Sequence, residues 1–140
     1  MIRVSSFGKF ENTWRDQYIQ QIKRLTPFEW IQIPLKKSPD QRPTQLLLEE
    51  AKFLKENSNF YILDALGKEM NSDEFYKWCF KESRHLVVGP AIGFHPDFKA
   101  KSQGSLSLSR LTFTHALAQT ILAESIFRSA CILKNHPFVK

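Results

Sequence analysis

The side chains able to do chemistry in this chain are few and scattered. Four histidines (His85, His95, His115 and His136) show no HxxxH or similar ligand spacing. The two cysteines, Cys79 and Cys131, each lie in an apolar helical stretch with no second ligand at metal-binding spacing. They read as buried free thiols, which suits a reducing compartment, and no metal site is expected. No nucleophile stands beside a base in a recognisable motif. What the pattern does offer is a set of turns. Leu63-Asp64, Val88-Gly89 and Ser109-Arg110 each end a run that reads as a strand, and in α/β sheets ligands sit beyond the carboxyl ends of the strands.

The elements that must position those turns follow from periodicity. Residues 2–7 read as a strand entering a turn at Gly8. A helix is expected over 12–25, with Trp14, Tyr18, Ile22 and Leu25 on the buried face and Arg15, Lys23 and Arg24 off it. A strand over 28–34, bounded by Pro27 and Pro34, precedes a loop over 35–43 rich in Lys, Ser and Pro. A helix over 44–56 would bury Leu47, Leu48, Ala51 and Leu54. The apolar run NFYILD at 59–64 reads as a strand covered on both faces. A helix over 71–81 is marked by Ser72 as a cap and by Asp73 and Glu74 against its dipole. Strands over 84–89 and 106–109 flank a loop over 94–104 with at most a helical turn, and a last helix runs over 114–133, stopped by Asn135 and Pro137. Strands alternating with helices make an α/β fold: a single domain over 1–140, with a mainly parallel sheet and helices on both faces.

The last helix is the most unusual piece. Its polar stripe is only Thr120, Glu124 and Arg128, and around it lie Leu117, Ile121, Leu122, Ile126, Phe127, Ala130 and Ile132. A helix apolar nearly all round must be covered on several sides, and a second subunit is expected to supply part of the cover.

Bulk properties narrow the class. The chain has 140 residues, 42% hydrophobic and 24% charged, as for an ordinary soluble domain. The longest wholly apolar runs are short of a membrane span. MIRVSSFGKF lacks the apolar core of a secretion signal, so a cytoplasmic location and no membrane are expected. A net charge of +6 favours a polyanion such as RNA, although the basic residues are spread along the chain rather than gathered in one tract.

Taken in order and spacing, these motifs resemble the SPOUT superfamily of knotted RNA methyltransferases, and within it the small RlmH-type branch acting on large-subunit ribosomal RNA. The pieces that carry the resemblance are Phe7-Gly8, Leu63-Asp64-x-x-Gly67-Lys68, Val88-Gly89-Pro90, the segment Leu108 to His115, Glu124 to Ser129, and the tail Phe138-Val139. Together they span essentially the whole chain. The resemblance implies a C-terminal trefoil knot, which the sequence pattern alone does not show. It implies S-adenosyl-L-methionine as cofactor and transfer of its methyl to N3 of a pseudouridine in 23S rRNA. It also implies a homodimer that acts on the large subunit or the whole ribosome.

Carried over by position, the cofactor-binding residues would be Leu63, Gly89, Leu108, Ser109, Arg110, Leu111, Thr112 and Phe113. For Gly89 and Gly93 plain turn chemistry is the competing reading, and for Ser105, Ser107 and Ser109 it is the outward face of an exposed strand. Glu124 and Arg128, at i and i+4, read as a buried structural pair or a dimer contact, with RNA phosphate binding by Arg128 ranked after these. His115 reads as structural at the start of the last helix.

Several residues depart from the family pattern. Pro90 replaces a Gly and removes one amide donor. Thr114 replaces Pro, and Gln119 replaces Arg. The tail reads Phe138, Val139 and Lys140 where the family has Tyr-His and a basic residue. Phe138 can still stack on a base. Because N3 must lose its proton, His136 and Lys140 are the tail side chains left to handle it, facing the partner subunit's site. The alternative is a non-catalytic descendant of the fold that binds RNA or the ribosome.

Overall fold

The computed structural model describes residues 1–35, 42–90 and 93–137. Ten elements run in the order β1 (Ile2–Phe7), α1 (Thr13–Leu25), β2 (Phe28–Ile33), α2 (Arg42–Glu56), β3 (Tyr61–Glu69), α3 (Ser72–Lys81), β4 (Arg84–Val88), α4 (Pro96–Lys101), β5 (Ser105–Ser107) and α5 (His115–Leu133). The strands form one five-stranded sheet in the order β2-β1-β4-β3-β5, and every pairing is parallel. This is the α/β arrangement expected, and each strand's carboxyl end points to the same edge.

Side chains alternate across the sheet and build two cores. Ile2, Val4, Leu86 and Val88 pack with Ile19 and Ile22 of α1 and Leu122 and Ile126 of α5. Phe7, Ile62 and Val87 pack on the opposite side with Leu46 and Phe53 of α2 and Phe98 of α4. There Phe7, Phe53, Phe60, Phe94 and Phe98 form a ring cluster with centroids 4.5–5.9 Å apart, the spacing at which aromatic quadrupoles attract.

Several local expectations need correction. In α1 the buried stripe is Arg15, Ile19 and Ile22, while Trp14 is 68% exposed. Two apolar stripes lie side by side on this helix, and packing selects the one whose arginine is fully hydrogen-bonded. In α2 the inward residues are Leu46, Glu50 and Phe53, and Leu47 and Leu48 face outward. The cap of α3 is Asn71 rather than Ser72. Asn71 accepts from the Glu74 backbone and Glu74 accepts from the Asn71 backbone, a capping box. The loop over 94–104 holds a real helix, α4, with His95 as its cap and Pro96 in its first turn. β5 is one residue earlier and shorter than expected.

β3 runs beyond Asp64, to Glu69, because it is interrupted. Both Leu63 and Lys68 pair with Leu106, so the chain between them loops out of the ladder. This excursion is pinned. Asp64 Oδ1 accepts from the Leu66 amide at 3.0 Å, and the Ala65 carbonyl accepts from Ser107 Oγ at 3.0 Å and from the Arg110 guanidinium. Gly67 lets the strand return, since a Cβ there would stand 2.7–2.9 Å from backbone atoms of Ser105 and Leu106.

α5 packs against α1 and α3. By length and composition it is apolar enough to cross a membrane, although its apolar runs are short, because isolated polar residues interrupt them. Two of these, Gln119 and Ser129, are buried within the protein. Thr114 caps its start through the Leu117 amide. Its end is a Schellman turn: Asn135 takes φ +52°, and the His136 and Asn135 amides donate to Cys131 and Ile132.

Candidate active site

The three strand-end turns meet. A cleft of about 440 Å³ at the carboxyl edge of the sheet is lined by Leu63, Asp64 and Ala65 after β3, by Val88, Gly89 and Pro90 after β4, and by Leu108, Ser109, Leu111, Thr112 and Phe113 between β5 and α5. That volume lies in the range of small-molecule sites, about 300–1,000 Å³. Topology brings them together, since β4, β3 and β5 are neighbours in the sheet.

Of the residues singled out for cofactor binding, Arg110 is the one outside the cleft lining. Its guanidinium pairs with Glu69 at 2.8 Å and donates to Ala65 O, so it fastens the β3 excursion. Ser109 has a local structural role as well, accepting from the Leu111 amide at 2.9 Å. Ser107 is buried and donates to Ala65 and Ser109 carbonyls, which corrects the expectation of an exposed serine face.

Further residues line the cleft: Gly93, Phe94, Lys99, Thr114, His115 and Ala118. For Phe94 the signal was its place just after the Gly89 turn. A Cβ at Gly89 would stand 2.9–3.2 Å from the Phe94 ring, so the glycine is what lets that ring form one wall. Phe94 in turn stacks on Phe98 at 4.5 Å, tying the wall to the second core.

Charge at the cleft is nearly balanced. Asp64 faces Lys99 at 3.5 Å. Burial and the nearby Arg15 charge hold His115 below the usual imidazole range, so it is neutral at pH 7. Its Nε2 lies 3.0 Å from Gln119 Nε2. On its other side Gln119 meets α1, and Arg15 Nη1 donates to Gln119 Oε1 at 2.6 Å.

A smaller recess of about 180 Å³ adjoins the cleft, with Leu63 and Leu108 as shared wall. Lys68, Met70, Phe75, Ile121, Glu124, Ser125, Arg128 and Ser129 complete it. The Glu124–Arg128 pair is therefore open to this recess, with side chains 32% and 46% exposed, and the expectation of a buried pair is corrected.

Phe138, Val139 and Lys140 lie outside the described residues, as do Ala91 and Ile92. His136 sits at the C-terminal end of α5 and lines neither the cleft nor the recess. At 1.5 Å per residue, α5 carries it roughly 28 Å from His115. Among the described residues no group of three or more His, Cys, Asp or Glu side chains could hold a metal ion. Burial pushes the Cys79 thiol up to about 12, so it is an inert core group.

A family model described as "Predicted SPOUT methyltransferase" matches residues 1–138. The chain belongs to the SPOUT methyltransferase family. Among curated proteins it is similar to the "Ribosomal RNA large subunit methyltransferase H" of Geobacter metallireducens, 30% identical over 98% of this chain and 97% of that protein. The protein of the same name from Francisella philomiragia is 28% identical, with 99% of each chain covered. A solved chain from Bacillus anthracis superposes with a TM-score of 0.55 at 15% identity, covering 100% of this chain and 98% of that one. This last likeness speaks for the fold. The SPOUT resemblance drawn from the motifs is thereby borne out.

Proposed function

We propose that the cleft binds S-adenosyl-L-methionine and that the protein methylates N3 of a pseudouridine in 23S rRNA, as a homodimer on the large subunit or the ribosome. The observation that carries this reading is the convergence of the three strand-end turns on one cleft of small-molecule size. The cofactor supplies a sulfonium methyl, so transfer needs no covalent intermediate on the protein.

The residues present fit such a group. Leu63, Val88, Leu108, Leu111 and Phe113 give apolar walls for an adenine ring, and Ser109 and Thr112 of the same lining would offer backbone groups to its edge. Asp64 is the carboxylate of this lining and can offset a positive charge. Gly89 keeps the turn open to close backbone approach.

The adjoining recess is the natural seat for the acceptor base, since it shares Leu63 and Leu108 with the cleft. Arg128 and Lys68 there suit a phosphate or a developing negative charge on the base. The rate then comes from alignment of methyl and N3.

The tail is assigned to the partner subunit. His136 lines neither the cleft nor the recess of its own protomer, so His136, Phe138 and Lys140 would act on the base bound by the other protomer. The exposed apolar side chains Trp14 on α1, Leu117 and Leu133 on α5, and Leu111 before it support cover by a second copy. Threading of α5 into a trefoil knot is part of the same proposal, as is the cytoplasmic location.

The test is methyl transfer from labelled S-adenosylmethionine to large subunits and ribosomes from a strain lacking this gene, with mass spectrometry of the rRNA. Appearance of N3-methylpseudouridine is expected. Binding of cofactor and ribosome without any transfer would instead establish the non-catalytic alternative.

A further inference from the structure

Arg15 is fully buried, and its guanidinium is bonded at every nitrogen. Nη1 donates to Gln119 Oε1 at 2.6 Å, Nη2 to the Phe10 carbonyl at 3.0 Å, and Nε to Asp16 Oδ1 at 2.9 Å. The group rests against the Phe10 and Trp30 rings, 5.2 and 5.8 Å from their centroids. A guanidinium only donates, so Gln119 must turn its oxygen to Arg15 and its nitrogen the other way. That nitrogen also only donates, and it stands 3.0 Å from His115 Nε2. Nε2 therefore holds a lone pair, and the single proton of the neutral ring is on Nδ1.

Nδ1 itself has no hydrogen-bond partner among the described residues. No buried side-chain nitrogen or oxygen among them lacks a partner, so Nδ1 is open to solvent, on a residue that lines the cleft. We propose that Arg15 is a positioning residue that acts through Gln119 to lock His115 as the Nδ1–H tautomer, presenting a fixed hydrogen-bond donor to an acceptor oxygen of the cleft's ligand. This rests on the reading of the cleft as the cofactor site.

The charges facing His115 are few. Arg15 approaches from α1 with Asp16 behind it, and across the cleft Asp64 and Lys99 pair with each other. Burial and Arg15 both disfavour the imidazolium, so the donor keeps its neutral form through the physiological range.

Two-bond ¹⁵N–¹H NMR on the ligand-free, full-length protein reads the tautomer directly. Wild type is expected to show His115 protonated at Nδ1 at pH 7. Gln119→Glu keeps an acceptor for Arg15 and gives Nε2 a carboxylate, so the proton should move to Nε2 and the imidazolium should persist to higher pH. Calorimetry with S-adenosylmethionine completes the test. Wild-type affinity at each pH is the reference for the variant, which cancels titration of the ligand's own amine. The variant should bind about tenfold more weakly at pH 8, as for one lost hydrogen bond, and recover on acidification as Nδ1 regains its proton. An Nε2–H or charged ring in wild type, or an unchanged tautomer in Gln119→Glu, overturns the proposal. So does a flipped tautomer with unchanged affinity. The NMR readout needs no ligand, so it decides the network even if wild type binds no S-adenosylmethionine, a result that would refute the cofactor reading on its own.

Discussion

Replacing Gly67 by alanine should damage the protein at the edge of its sheet and loosen the cleft. The added Cβ would meet Ser105 C, Leu106 N and Leu106 C at 2.7, 2.8 and 2.9 Å, against 3.4–4 Å for ordinary contact. All three are backbone atoms, so no side chain can swing aside. β5 must recede from β3 by roughly 0.5–0.7 Å to relieve the clash, straining the pairing of Lys68 and Glu69 with Leu106 and Ser107. Overpacking of this kind costs about 1–3 kcal/mol, and the lower entropy of the unfolded alanine chain returns about 0.4–1 kcal/mol. Taking the middle of each range, about 2 less about 0.7, the net loss is about 1–2 kcal/mol. For a chain of 140 residues, each kcal/mol shifts the midpoint by roughly 3–5 °C, so the variant should melt roughly 3–10 °C lower. Gly104→Ala is the control. Its Cβ would lie 3.6 Å from the Tyr61 ring, ordinary contact, and its change should stay within about 0.5 kcal/mol. Thermal unfolding by circular dichroism, at one fixed protein concentration, separates the two. Equal melting temperatures for Gly67→Ala and wild type, or an equal loss in Gly104→Ala, would refute the close-approach argument.

Two further outcomes follow from the same geometry. Gly89→Ala should weaken S-adenosylmethionine binding at least about tenfold in calorimetry with little loss of stability, because Phe94, backed by Phe98, can yield only toward the cleft. His85 gives a pH dependence. Burial, with Arg3 nearby, lowers its pKa to about 4, while Ser5 Oγ lies 2.8 Å from its Nε2. The unfolded chain therefore binds the extra proton first as pH falls, so this contribution is complete above about pH 6.5 and is lost between there and about pH 4. The ring is only partly buried, so screening leaves about 1–2 kcal/mol, and His85→Gln should flatten this part of the stability–pH curve in denaturant titrations at pH 7 and pH 4.5.

Much was legible in the residue order alone. Alternation of apolar runs and helical stripes is a local property, and so the α/β class, the parallel sheet and the approximate bounds of most elements could be read from it. The turns at Leu63, Gly89 and Leu108 were recognisable as strand ends, which are local features, and the order and spacing of the motifs carried the SPOUT resemblance. The inward face of α1 was not legible. Trp14 and Tyr18 lie beside Ile19 and Ile22, and only the packing against α5, where Gln119 takes the Arg15 guanidinium from 104 residues away, decides which stripe turns inward. The excursion in β3 was equally hidden, since it exists because β5 pairs with both Leu63 and Lys68. Nor could sequence show that Arg110 fastens Ala65 rather than lining the cleft, or that Gln119 dictates the proton on His115. Such contacts join segments distant along the chain, and their energies depend on distances that only the folded packing sets. Periodicity determined the layers, and the resemblance of the motifs pointed to the family; tertiary structure decided which side chains reach the cleft and in what protonation state.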